Sequence, residues 1–170
     1  MSNNEVHLFI ESWGYEAKNT LKLLHSLPTT KYDFRPTPDW RSLGELAWHL
    51  AEVEAFFSDG VASGRFDFGA KLPNLERPRA VEALAPGYER VHAEAVARVR
   101  GLTPADMGRK MPFMGHEMQI RDLMWGGLFC HLIHHRGQLA LICRMAGGVP
   151  PGMYGPNREE MMEMTKAAQK

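Results

Sequence analysis

Several things that would decide the class of this chain are scarce in it. Cysteine occurs twice, as Cys130 and Cys143. Both fall in one expected helix, where a 1.5 Å rise per residue sets them about 20 Å apart. A disulfide needs Cα atoms within about 7 Å, so the two cannot pair within the chain, and a reducing, cytoplasmic setting is expected. No apolar run reaches the roughly 18 residues of a membrane span. The opening MSNNEVHLFIESWGYE lacks a basic segment followed by a long apolar one, so neither a membrane anchor nor a signal peptide is expected. Charge of one sign is also missing: 20 basic and 20 acidic side chains cancel. Without a basic stripe there is no electrostatic footprint for a phosphate backbone, and nucleic acid is not an expected partner.

What is present is helical periodicity. At 170 residues the chain is read as one domain over 1–150 with a tail over 151–170. Val6, Ile10, Trp13, Ala17, Leu21 and Leu24 recur at helical spacing from about Asn3 to Leu27, and Pro28 ends the run. Ser42-Leu-Gly-Glu45 has the S-x-x-E form of a capping box and opens a second helix to about Ala62. Val81, Leu84, Tyr88, Val91, Ala95 and Val99 line a third helix placed over Arg79 to Leu102. Thr103-Pro104 gives one further turn, and KMPFMGHEMQI reads as a small hairpin turning at Gly115. A fourth long helix runs from about Arg121 to Gly147, and NREEMMEMTKAAQK forms a short terminal helix. The fold class is therefore all-α, a four-helix bundle whose loops before Arg41 and after the second helix are long enough for crossovers.

The fourth helix holds FCHLIHHRGQLALICRMAGG, with three histidines within five residues. At about 100° per residue from His131, His135 falls near 40° and Gln138 near −20°. Ile120, Met124, Gly127, Leu128, Ile142, Met145 and Ala146 share that face, so the expected core stripe is centred on His131 and His135. His134 lies to the side. On the second helix His49 sits among Leu46, Val53 and Phe56, flanked by Glu45 and Glu52. A lone buried histidine is ordinarily a hydrogen-bonded core residue, and HxxxH spacing alone is weak. Imidazoles buried together without partners, however, cost about 1–3 kcal/mol for each unsatisfied nitrogen. A divalent cation would resolve that. Spacing by itself leaves the core and ligand readings open.

LGELAWHLAEVE around His49 and HLIHHRGQLALICRMAGGVPP from His131 closely resemble the DinB/YfiT-like superfamily of bacterial four-helix-bundle proteins. YDFRPTPDWRS is similar to that family's approach to its second helix. The resemblance runs from the first helix to the Pro-Pro after the fourth. It implies a divalent metal, zinc or nickel, held by three histidines that match His49, His131 and His135; His134 matches no ligand position. It also implies a homodimer and, from members with known chemistry, a thiol-dependent transferase or isomerase. The cosubstrate there is a low-molecular-weight thiol such as mycothiol, bacillithiol or glutathione. The family name refers to DNA-damage induction and not to DNA binding.

Three protein ligands and an open position mark a catalytic zinc-type site more than a structural one. Cys130 lies about 100° from His131 around the helix, a poor fourth ligand. Glu52 or Glu45 could ligate, could fix the tautomer of His49, or could face solvent; Gln138 is a third candidate for such support. Water in the fourth position is favoured. The leading expectation is a metal-activated thiolate attacking an electrophilic substrate. The alternatives are hydrolysis by metal-bound hydroxide and a non-catalytic, stress-related metal-binding bundle. Arg136 could pair with an acidic group across a helix seam, with a solvated or capping role favoured over substrate binding, and Gly137 is expected to permit close helix approach. Trp125, Phe129, Ile133 and Ala140 make a second apolar face on the fourth helix, predicting a homodimer interface or cover by a terminal segment. Met161, Met162 and Met164 are read as tail packing and not as metal ligands.

Overall fold

The computed structural model describes residues 5–169, so the expected helix start at Asn3 and the end of the tail at Lys170 lie outside the described residues. Helix α1 spans Glu5–His25, α2 Leu43–Ser63 and α3 Leu84–Val99. The single turn α4 (Pro104–Gly108) leads into strands β1 (Lys110–Phe113) and β2 (His116–Gln119), paired antiparallel. The last long helical run joins α5 (Ile120–Asp122), a π-helical stretch (Leu123–Cys130) and α6 (His131–Met145). Helix α7 (Arg158–Ala168) closes the chain.

Local chemistry sets most of these boundaries. Ser42 accepts from the Glu45 backbone N–H while the Glu45 carboxylate accepts from that of Ser42, the reciprocal box that starts α2. Met114 and Gly115 both take positive φ, 50° and 82°, as a tight I′ hairpin turn requires. Helix α3 starts later than its periodicity suggests because Pro86 lacks an N–H and is tolerated only in a first turn; Val81–Ala83 form a 3-10 turn instead. Gly147, at φ 87°, stops α6 in the left-handed conformation, and the Gly148 N–H reaches back to the Cys143 carbonyl.

Helices α1 and α2 each pack against both α3 and α6, so the order around the bundle is α1, α3, α2, α6. Sequence neighbours α1 and α2 lie on a diagonal, and the linkers over 26–42 and 64–83 make the crossovers. Helix α2 is nearly surrounded. From Leu43 to Val61 its positions that are not buried are Glu45, His49, Glu52, Phe56 and Asp59. Their alternating spacing of four and three is one helical face, so α2 reaches the surface along a single stripe.

Two expectations about the last long helix need correction. Its buried line runs through Ile120, Met124, Leu128, Leu132 and Arg136 in steps of four, then Leu139 and Cys143. An α-helix of 3.6 residues per turn drifts off such a line, and the wider π turns absorb the drift. The core face of α6 therefore centres on Leu132, Leu139 and Cys143. His131 and His135 are half-buried at its border and not in its middle, and Met145 is exposed. Gly137 faces outward, with nothing within 4 Å of an added Cβ, so it mediates no close approach; Gly127 does, lying against the Phe57 ring.

The second apolar face is partly covered from within the chain. Phe9 of α1 meets Trp125 and Phe129 at ring centroid distances of 5.0 and 6.2 Å. Arg136 is not solvated: it is 1% exposed and pairs across the seam with Glu16 and Tyr154. Met161, Met162 and Met164 are exposed and do not pack the tail into the core.

Candidate metal centre

The open stripe of α2 faces the border of α6, and three imidazoles meet there. One ring nitrogen from each of His49, His131 and His135 lies within 4.8 Å of the others. The ring centroids are 5.7 Å apart for His49–His131, 4.8 Å for His49–His135 and 4.5 Å for His131–His135. His134, one residue from His135, is exposed and outside the group.

Two of the rings are oriented through Nδ1. His49 Nδ1 is 3.4 Å from Glu52 Oε2, and His135 Nδ1 is 2.7 Å from Gln138 Oε1. With Nδ1–H donating in each, Nε2 keeps its lone pair. Gln138 turns its amide N–H toward His134 Nε2 at 3.1 Å, consistent with its oxygen accepting from His135. Behind His49, Arg77 donates to Glu52 at 2.9 Å and lies 3.8 Å from Glu45. Arg35 holds Glu45 at 2.8 and 2.9 Å. Glu45 is thus one ion pair removed from the imidazoles: it caps α2 and braces the arginine that orients Glu52.

The donor set suits a cation that prefers nitrogen ligands. Burial, with the neighbouring His49, His134 and Arg41, lowers the His131 pKa. Burial and the adjacent imidazoles push His135 down to about 4 against the hydrogen bond it donates to Gln138. Both rings are thus neutral near pH 7, the form that ligates metals. Burial acts to raise the Glu52 carboxyl, but hydrogen bonds from His49 and Arg77 win and hold it below its ordinary range. His131 Nε2 is buried and has no hydrogen-bond partner among the described residues. An unsatisfied buried ring nitrogen costs about 1–3 kcal/mol, and a bound cation is what would satisfy it. The residues fit a divalent metal.

The centre opens on a cleft of about 550 Å³ lined by His49, His131 and Glu52 together with Phe56, Phe57, Phe68 and Phe113. A second hollow of about 500 Å³ shares Glu52 and Phe56 with it. Sequence periodicity does not reveal this wall, because Phe68 and Phe113 arrive from a loop and a hairpin strand. It also passes over Glu54, a fully buried carboxylate on α2 that accepts from Trp13 Nε1 at 2.9 Å, Tyr88 OH at 2.5 Å and His92 Nδ1 at 2.8 Å. A carboxylate between Val53 and Ala55, off the polar stripe of α2, was the available signal.

Comparison with known proteins agrees with this architecture. The family model for the DinB superfamily matches residues 15–139, a span that holds all three histidines. The YrdA protein of Bacillus subtilis strain 168 is 33% identical over 158 residues, covering 89% of each chain. The crystal structure of a DinB-like protein from Bacillus cereus ATCC 10987 superposes with a TM-score of 0.70 at 30% identity, covering 86% of this chain and 95% of that one. The DinB-like YjoA of Bacillus subtilis, at 20% identity and a TM-score of 0.72 over 89% of this chain and 99% of its own, shares the fold. The chain belongs to the DinB superfamily.

Proposed function

We propose that the chain is a divalent-metal enzyme, with zinc or nickel held by His49, His131 and His135, that activates a low-molecular-weight thiol for transfer to an electrophilic substrate. The observation that carries the reading is the convergence of three imidazoles, one with an unpartnered buried nitrogen and two of them lining an open cleft. A divalent ion with one open position lowers the pKa of a thiol or water bound there and so supplies a nucleophile at neutral pH.

The chain's own groups have separable roles in this reading. Glu52 and Gln138 fix the rings of His49 and His135 so that Nε2 points inward. Arg77 keeps Glu52 ionised. The phenylalanine wall lowers the local dielectric and limits water around the nucleophile. Cys130 is exposed and Cys143 is buried elsewhere, so the thiol of the reaction is a cosubstrate and not a side chain. A homodimer, expected from the resemblance, would sediment at twice the 19.2 kDa chain mass.

The test is turnover of chlorodinitrobenzene with glutathione, bacillithiol or mycothiol, before and after chelation and reloading. We expect activity with at least one thiol that falls to background on chelation and returns with zinc or nickel. Equal rates with and without metal would overturn the thiolate mechanism. Metal-dependent hydrolysis of an ester in the absence of thiol would favour the hydroxide reaction instead.

A further inference from the structure

The cleft beside the histidines is chemically two-sided. Its wall is a cluster of phenyl rings: Phe56 meets Phe57 at 5.5 Å and Phe68 at 5.1 Å, and Phe113 meets Phe57 at 5.7 Å and Phe68 at 5.9 Å. Four rings drawn from a helix, a loop and a hairpin strand make a surface suited to a flat apolar body. Gly127 makes room for the Phe57 ring within that wall, since a Cβ there would fall 2.4 Å from it. Phe68 is 67% exposed at the rim, far more open than a ring recruited only for core packing.

The cleft's charge is just as specific. Of the two charged side chains lining it, Glu52 is neutralised by Arg77 and hydrogen-bonded to His49. Arg41 has no acidic partner among the described residues, although Arg35 and Arg77 nearby are both engaged by carboxylates. It stands near enough to His131 for its charge to be felt there. An unpaired guanidinium at the rim of an apolar cleft is the feature that recognises a carboxylate, sulfonate or phosphate through charge-assisted, often bidentate hydrogen bonds. Pockets of this size hold one small molecule, with a few polar groups fixing its orientation.

We infer that the cleft binds a small aromatic anion, its ring against Phe56, Phe68 and Phe113 and its acidic group on Arg41, which places an adjoining carbon toward the three histidines. The inference deepens the proposed function by giving the substrate class of the same site, and it rests on that reading only for which atom reacts. Binding itself needs the wall and the guanidinium.

Calorimetric titration of the full chain with 2-naphthoate and with its neutral analogue 2-naphthalenemethanol tests this, using metal-loaded and chelator-stripped protein. We expect the anion to bind about tenfold tighter than the alcohol in both forms, as one charge-assisted contact allows. Arg41→Gln should abolish that preference and leave alcohol binding unchanged. The replacement is exposed and breaks no ion pair, and circular dichroism checks its fold. Phe68→Ala should weaken both ligands. Equal affinity of anion and alcohol would overturn the inference. So would anion binding that vanishes on stripping and ignores Arg41→Gln, because the carboxylate would then be a metal ligand. If the chain takes up no metal yet keeps the Arg41-dependent preference, the metal reading fails and this one stands.

Discussion

Glu54 shows at the residue scale what holds the bundle to one arrangement. It is fully buried, yet Trp13 from α1 and Tyr88 and His92 from α3 all direct polar atoms at it. Its removal leaves at least two buried donors without an acceptor. Glu54→Ala is expected to lower the unfolding free energy by about 3 kcal/mol or more, read from the urea midpoint at unchanged slope. A loss under about 1 kcal/mol would mean that water replaces the carboxylate. Glu52 is a different kind of residue. It is partly open and touches His49, so Glu52→Gln should leave stability nearly unchanged while weakening metal affinity about tenfold or more. A competition titration against a chromophoric chelator reads that directly.

At the scale of elements, the sequence made most of the fold legible. The capping box of α2, the apolar side of α3 and the turn at Gly115 each have a local cause, and local causes can be read from neighbours in the chain. The orientation of the α6 histidines has a non-local one. The expected stripe assumed even α-helical rotation from Ile120 onward, and the π-helical stretch Leu123–Cys130 breaks it. That break moves His131 and His135 from the core to its rim, where a cleft can reach them. The convergence of His49 with the pair was still readable, since HxxxH and a histidine on an apolar helix survive a modest rotation. Arg41 and the phenyl wall were not, because loop and hairpin positions carry no periodicity. Gly127 lies in the same π-helical stretch and supports Phe57. Gly127→Ala should cost about 1–3 kcal/mol through overpacking and push that ring into the cleft. An unchanged thermal midpoint would show that Phe57 has room to move.

On the scale of the whole molecule, the site is a consequence of topology. With α1 and α2 on a diagonal, α2 is buried on every side but one, and that stripe carries Glu45, His49, Glu52 and Phe56. No helix among the described residues is long and apolar enough to cross a membrane. The linker that crosses the bundle end is tied to α2 by Arg35 and Glu45. Hydrogen bonds from Arg35 and from the Ser42 backbone hold the Glu45 carboxyl at about 2, against an ordinary 4.5. A folded-state pKa below the unfolded one stabilises fully above about pH 4.5, and that contribution fades as pH falls toward 2. Glu45→Gln should therefore flatten the loss of stability between those values, measured by denaturant midpoints across pH. A variant with the full acid sensitivity of the parent would remove Glu45 as its source.

The proposed thiol chemistry depends on whether the three imidazoles take a metal. The most direct measurement is elemental analysis of untagged protein, as purified and after loading with zinc or nickel, beside His49→Ala and His135→Ala. One equivalent in the parent chain, with most of it lost in each folded variant, is the expected result. A parent chain that stays metal-free in excess zinc and nickel, or variants that retain full metal content, would contradict it.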